Sequence, residues 1–329
     1  MTETIDSLRA HRCAAILMNA MACGVLATIC PHLSAQSATD SLAQPVLQSP
    51  PAAATTPAAQ ASPTSSPAPA ANTLPLWEFG LGVAATDFPF YLGADQTKLM
   101  PLPFAVGAYR GSFLRVDRDG VRGVLFDSHS VDFSLSVGAS PPVYSDGSDA
   151  RAGMPNLRPS LEFGPALNWT LWRGNTPGDR LKITLPMRAV FTIHAPPQFI
   201  GWTSDPRVNL DLVDPKNFPG WHLGLQAGPL YASRRQNEYY YSVAPAYATP
   251  TRPVYDAAGG RSGQAFTTAI SKHFPRFYVG AFLRYDSIHN AVFESSPLVR
   301  RDYGFYGGVG IAWMVGESSE RVPRTEDDY

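Results

Sequence analysis

The sequence predicts an all-β chain: a closed antiparallel up-and-down transmembrane β-barrel of about 12 strands, preceded by a signal peptide and a disordered tether. Three observations predict it. From residue 76 onward apolar residues recur with a period of two. The connections between these runs alternate between long and short. Charged residues make up only 16% of the chain, against about 25% in a typical soluble domain.

The first 35 residues read as an address. Arg9, His11 and Arg12 form a basic start, Cys13 to Ile29 an apolar stretch, and Leu33-Ser34-Ala35 a small-residue cleavage site. This is the pattern of a secretory signal peptide cut near Ala35. Asn19 and Gly24 interrupt the apolar stretch, which argues against a membrane anchor. All three cysteines (Cys13, Cys23, Cys30) lie inside it, so the remaining chain carries neither disulfides nor thiol chemistry. Residues 36–75 are rich in Ala, Pro, Ser and Thr. They hold too little apolar surface to offset the entropy of ordering, and read as a disordered periplasmic linker. That linker is either a passive spacer or an arm toward a partner. Residues 317–329 read as a polar tail, which leaves 76–316 for the barrel.

Within 76–316 the alternation is explicit. Trp77, Phe79, Leu81 and Val83 oppose Glu78, Gly80, Gly82 and Ala84. Val131, Phe133, Leu135 and Val137 oppose Asp132, Ser134, Ser136 and Gly138. Phe305, Val309, Ile311 and Trp313 oppose Gly304, Gly308 and Gly310. Successive side chains of a strand point to opposite faces, so each run has one apolar and one polar or small face. The runs are expected near 77–85, 98–109, 112–117, 121–126, 131–138, 160–172, 181–194, 220–231, 239–248, 264–273, 277–286 and 303–315. Their lengths approach the roughly 9–11 residues a tilted strand needs to cross a bilayer.

Two architectures share this pattern. A soluble barrel turns the apolar face inward, and a membrane barrel turns it toward lipid. The gaps favour the second. Those at 86–97, 118–120, 139–159, 195–219, 249–263 and 287–302 are mostly long, while those at 110–111, 127–130, 173–180, 232–238 and 274–276 are all short. Outer-membrane barrels show this asymmetry, with short periplasmic turns and long external loops. An even strand number also returns both termini to the periplasm. Aromatics near strand ends, among them Trp77, Tyr109, Trp169, Trp172, Trp221, Tyr231 and Trp313, suit interfacial girdles. A soluble periplasmic barrel holding an apolar ligand is the remaining architectural alternative.

Chemistry-bearing signals are sparse. A net charge of −1 provides no basic field to recruit nucleic acid. There is no G-x-S-x-G, no H-E-x-x-H, no Walker loop and no Cys/His metal spacing, so no catalytic residues, metal or cofactor are assigned. Asp146, Asp149, Asp205, Asp211, Asp214 and Asp256 fall in expected external loops. Arg110, Arg173, Arg180, Arg234, Arg235 and Arg276 fall in expected periplasmic turns. There they form either an ordinary solvated rim or a basic surface for an acidic partner. Tyr239-Tyr240-Tyr241 reads as part of a girdle. Glu162, Lys182, Arg188, Gln226 and Arg284 point inward, where they would pair and either plug a lumen or line a small pore.

Four blocks then resemble the MltA-interacting protein (MipA)/OmpV family of outer-membrane proteins. Tyr91-Leu92-Gly93-Ala94-Asp95 is similar to its early Y-x-G-[SA]-D loop. Arg151-Ala152-Gly153-Met154-Pro155 with Leu161-Glu162-Phe163-Gly164-Pro165 resembles its R-x-x-M-P…E-x-G-P element. Tyr241-Ser242-Val243 with Tyr255 and Gly259-Gly260 resembles a third block, and Ser296-Pro297-Leu298-Val299-Arg300 a fourth. Two features depart from the family: the long tether, and the polar stretch Gly316 to Asp328 after Trp313-Met314-Val315. The resemblance implies a non-enzymatic scaffold in the outer membrane of a Gram-negative bacterium, among outer-membrane lipid and lipopolysaccharide. It would join a lytic transglycosylase (a murein hydrolase) to a murein synthase at the periplasmic face. Family relatives also suggest a small pore or uptake channel.

Overall fold

The computed structural model describes residues 73–324, apart from 112, 118, 119, 129 and 217, and gives the strand residues between 114 and 127 as backbone. The expected signal peptide and nearly all of the tether lie outside these residues. Among the described residues the chain is almost entirely β. A short β1 (Thr73–Pro75) leads into β2 (Trp77–Pro89), β3 (Thr97–Arg110), β4 (Leu114–Asp117), β5 (Gly120–Asp127) and β6 (Val131–Ser140). Then come β7 (Ser160–Arg173), β8 (Arg180–Pro186), β9 (Arg188–Thr192), β10 (Phe199–Ser204), β11 (Arg207–Val213) and β12 (Trp221–Ala232). One α-helix, α1 (Arg234–Tyr241), precedes β13 (Gly260–His273), β14 (Phe277–Ser287), β15 (Tyr303–Glu317) and β16 (Arg321–Pro323).

All the pairings are antiparallel. From β2 the hydrogen-bonded neighbours run β3, β4, β5, β6 and β7. They continue through β8, β11, β12, β13, β14 and β15, and β15 pairs with β2. β9 continues β8 beyond Met187 and β10 leads into β11, so 180–192 and 199–213 act as two long, interrupted strands. The result is one large antiparallel sheet of 12 strands. β1 and β16 form a separate two-stranded ribbon.

Two segments differ from the sequence expectation. Residues 239–248, expected as a strand, begin inside α1 and continue through a 3-10 turn at Pro245–Tyr247. Ser233 caps α1 by accepting from the Gln236 backbone N–H, and Arg234 pairs with Glu238 one turn on. Cap and i,i+4 pair outweigh the β preference of three tyrosines. Conversely, the expected loop 195–219 contains the strand 199–213. There Val208, Leu210 and Leu212 alternate with Arg207, Asn209 and Asp211, and both edges are paired. The two differences cancel in the count, but they move 233–259 to the long-loop end and 214–220 to the short-turn end.

The two faces of the sheet are inverted relative to a water-soluble barrel. Leu81, Val83, Leu135, Trp169, Leu185, Leu283, Val309 and Trp313 are exposed, Val309 at 61%. Their alternating neighbours Thr86, Ser134, Asn168, Lys182, Thr184, Arg188, Asn209, Thr267 and Asp286 are buried. Large exposed apolar side chains so numerous and contiguous mark a surface meant for something other than water. The inner face has two halves. The wall from β6 to β13 is polar. The wall of β2, β3 and β15 carries Phe88, Met100, Leu102, Phe104 and Val106 beside small Gly82, Gly308 and Gly310.

Glycine lets β2 and β15 approach. A Cβ on Gly82 would stand 2.3 Å from the Ile311 carbonyl oxygen and 2.7 Å from Ala312. Backbone cannot retreat there without opening the seam. Gly82→Val is therefore expected to cost at least about 1–3 kcal/mol, read as a lower urea midpoint of the folded band in detergent. Val83→Ala, one residue away on the exposed face, is expected to stay within about 0.5 kcal/mol.

Candidate functional site

The sheet presents three chemically distinct regions: its polar interior, its short-turn end and its long-loop end. The interior is a network of paired charges. Arg188 donates from Nε to Glu162 Oε2 at 3.1 Å and from its terminus to Asp205, which also accepts from Arg207. Thr203 donates to the same Glu162 oxygen at 3.1 Å, and Ser136 accepts from Arg188 at 3.3 Å. Beside it Asn168 donates to Asp132 and Ser134 at 2.8 and 3.1 Å, and Asn209 donates to Thr184 at 2.9 Å. Further round, Asp286 is 2% exposed and accepts from Arg284 Nε at 2.9 Å and from the Tyr306 hydroxyl. Lys182 is buried on the same face, and Gln226 stands in register with Asn209 and Thr267 there. Glu162, Lys182, Arg188, Gln226 and Arg284 thus share one face, but Glu162 with Arg188 and Arg284 with Asp286 form two separate clusters.

At the short-turn end Arg110 pairs with Glu78 at 2.9 Å and donates to the Pro75 carbonyl at 2.7 Å. Arg180 pairs with Asp211 at 3.1 Å, while Arg173 and Arg276 are exposed. The β1–β16 ribbon lies here too, tied in by Leu76 N–H to the Glu320 carbonyl and Ser318 N–H to the Trp77 carbonyl. Thr73, the first described residue, therefore lies at this end, two residues before the Pro75 carbonyl that Arg110 holds. Residues 321–323, expected in a free tail, supply one strand of that ribbon.

The expected groupings change in three places. Arg234 and Arg235 sit on α1, at the long-loop end rather than with the turn arginines, because 199–213 adds a crossing before them. Asp205 is an interior partner, and Asp211 and Asp214 belong to the turn end, for the same reason. Tyr239, Tyr240 and Tyr241 are not an interfacial girdle. They pack into an apolar cap over the loop end.

That cap is the molecule's packed apolar core. Tyr91, Val143, Leu157, Tyr241, Ile288 and Phe293 are buried together, with Tyr241 stacked on Phe293 at 3.6 Å between ring centres. The four sequence blocks meet here. The Tyr91 hydroxyl donates to the Leu298 carbonyl at 2.7 Å, and the Tyr241 hydroxyl to the Leu92 carbonyl at 2.9 Å. Ser296 donates to the Tyr241 carbonyl at 2.7 Å, and Arg151 to the Tyr240 carbonyl at 2.9 Å. Gly93, at φ +90°, turns its carbonyl to accept from Arg300 and Arg301 N–H. Such positive φ suits glycine. Buried Arg252 donates to the Ala150, Ala152 and Tyr247 carbonyls. Burial pushes the Arg151 guanidinium down from its ordinary pKa. Burial also raises the tyrosines, Tyr240 to about 12 and Tyr241 well above its usual value. These chain-distant contacts lay beyond sequence reasoning, although Arg151 and Tyr241 stood within the motifs.

A profile of the MltA-interacting protein MipA family matches residues 80–315. The chain belongs to the MipA family. The match runs from β2 to the end of the β15 wall, so it takes in the interior network and the whole cap of this MipA chain. No curated protein matches it. Among the described residues no group of three or more His, Cys, Asp or Glu could hold a metal ion, and no helix is long and apolar enough to cross a membrane.

Two outcomes follow from this geometry. Arg188→Ala leaves Glu162 and Asp205 facing each other without their shared cation, and is expected to destabilise the fold by about 3–5 kcal/mol. Chemical denaturation of the detergent-folded chain measures it. The cap has a pH limit. An unfolded tyrosine loses its proton near pH 10, whereas Tyr240 in the fold holds it to about 12. The stabilisation is complete below pH 10 and declines between 10 and about 12. Hydrogen exchange of the cap segments is expected to accelerate in that window, and Tyr240→Phe to blunt the acceleration.

Proposed function

We propose that this chain is a closed outer-membrane β-barrel of 12 strands acting as a non-enzymatic scaffold for murein-remodelling enzymes. In this reading a signal peptide cut near Ala35 exports it in a Gram-negative bacterium, and residues 36–75 are the periplasmic linker, the last three of them paired as β1. The observation that carries the reading is the inversion of the sheet: exposed Leu81, Leu135, Leu185 and Val309 outside, ion-paired Glu162, Arg188, Asp205 and Asp286 inside. In hydrocarbon every backbone group must be bonded within the protein, and a ladder returning to its first strand meets that demand. The family name adds the partner class, an MltA-type murein enzyme.

The proposed docking surface is the short-turn end, where Arg110, Arg173, Arg180 and Arg276 accompany the β1–β16 ribbon and the root of the tether. Arg173 and Arg276 are its exposed cations, suited to steer an acidic face. A small pore is the rival reading. The apolar cap at the loop end and the mutually paired interior charges weigh against a wide open channel, and planar-bilayer conductance of the purified chain decides it.

Membrane-fraction protein is expected to run at different positions on a denaturing gel with and without boiling. Captured from detergent extract, it is expected to retain a murein lytic transglycosylase. Arg173→Glu with Arg276→Glu is expected to weaken that capture about tenfold at low salt, with less effect at high salt. Arg300→Glu, at the opposite end, is expected to leave it unchanged.

A further inference from the structure

The outer wall over β7, β9 and β10 differs from the rest of the exposed apolar face. Elsewhere that face is largely aliphatic, with a smaller aromatic group of Tyr285, Phe305 and Tyr303 on β14 and β15. Here four aromatic rings run in continuous contact. Phe163 stacks on Phe191 at 5.4 Å and 11°, Phe191 meets Phe199 at 5.4 Å, and Phe199 meets Trp202 edge-on at 5.7 Å. Phe163 and Trp202 are 41% and 43% exposed. A guanidinium closes the ladder at its loop end, with Arg235 lying over the Phe199 ring at 5.4 Å.

α1 is held there by its cap. Ser233 Oγ accepts from the Trp202 backbone N–H at 2.9 Å, and Gly201, at φ +132°, leaves the room. A Cβ on Gly201 would come within 2.4 Å of Ser233 Oγ. The neighbouring cations have different fates. Arg234 is neutralised by Glu238 and Asp256. Arg235 is exposed, and among the described residues it makes no ion pair. Arg158 is exposed as well. Its backbone N–H donates to the hydroxyl of Tyr239 at 2.8 Å, and Tyr239 stands one helical turn from Arg235 on α1.

We propose that this wall is a seat for a phosphorylated, multiply acylated lipid, the lipid A part of lipopolysaccharide. The aromatic ladder takes acyl chains, and Arg235 with Arg158 takes the phosphate at the height where the wall meets the loops. The complementarity is specific in sign and in layout. The Arg235 guanidinium stands over an exposed aromatic strip, as a headgroup phosphate stands above its chains. Guanidinium binds phosphate through two parallel N–H donors. The proposal rests on the outer-membrane reading above.

The test uses the full chain folded in detergent micelles, with lipid A, dephosphorylated lipid A and phosphatidylglycerol as probes and native mass spectrometry or thermophoresis as readout. Arg158→Glu with Arg235→Glu is expected to weaken lipid A binding at least about tenfold. Arg235→Lys, which keeps the charge, is expected to hold most of it. Dephosphorylated lipid A is expected to bind the unaltered chain as poorly as lipid A binds the double variant. Arg234→Gln, at the already neutralised cation, is expected to change nothing. Unchanged lipid A affinity in the double variant, or equal binding of phosphatidylglycerol, overturns the seat while leaving the barrel reading intact. Loss of the boiled/unboiled gel shift in the unaltered chain overturns the barrel reading and the seat with it.

Discussion

Everything in this molecule depends on the seam where β15 meets β2. An open sheet of 12 strands would leave two long edges of unpaired N–H and C=O groups, and in the proposed membrane setting those edges would have no water to bond. Ten residue pairs from Gly307 with Asp87 down to Glu317 with Glu78 satisfy both edges at once. Glycines at 80, 82, 308 and 310 let the two backbones and the opposing Phe104 and Val106 share the space. Register here also decides which face is apolar. A slip of one residue would turn Leu81, Val83, Val309 and Trp313 inward.

Inversion of the faces relocates the usual sources of stability. The apolar core of a soluble domain lies between its layers, whereas this sheet keeps charges there and must pair them. Glu162, Arg188, Asp205 and Arg207 do so in one cluster, and Arg284, Asp286 and Tyr306 in another. A buried ion pair contributes little net stability but is expensive to break, so these clusters act chiefly to hold the interior arrangement unique. Conventional apolar packing moves to the loop end. There Tyr91, Tyr241, Ile288 and Phe293 gather segments more than 200 residues apart in the chain.

That division separates the two ends. The loop end is a stapled cap, its carbonyls occupied by tyrosine hydroxyls and by Arg151 and Arg252. The turn end has short connections, exposed Arg173 and Arg276, and the ribbon from which the preceding chain departs. On the proposed reading a periplasmic partner meets the second, and lipid headgroups of the outer leaflet the rim of the first. The displacement of Arg235 from one end to the other therefore changes its chemistry: it leaves a basic turn rim and joins an aromatic wall.

Alternation along the chain was enough to determine an all-β fold and to put Glu162, Lys182, Arg188, Gln226 and Arg284 on the polar faces of their strands, with the apolar residues on the opposite faces. A two-residue period is a local property, carried by each strand regardless of its partners. The resemblance blocks likewise stood in the sequence as separate fragments. Tertiary structure alone decided the strand at 199–213, because Gly201 and Pro206 interrupt its pattern and pairing with β8, β9 and β12 restores it. It alone decided that Tyr239 to Tyr241 belong to a capped helix and a packed core, and that the motif blocks converge there. Hydrogen bonds such as Tyr91 to Leu298 span distances along the chain over which no local pattern carries information, and only the pairing of β15 with β2 brings their ends together.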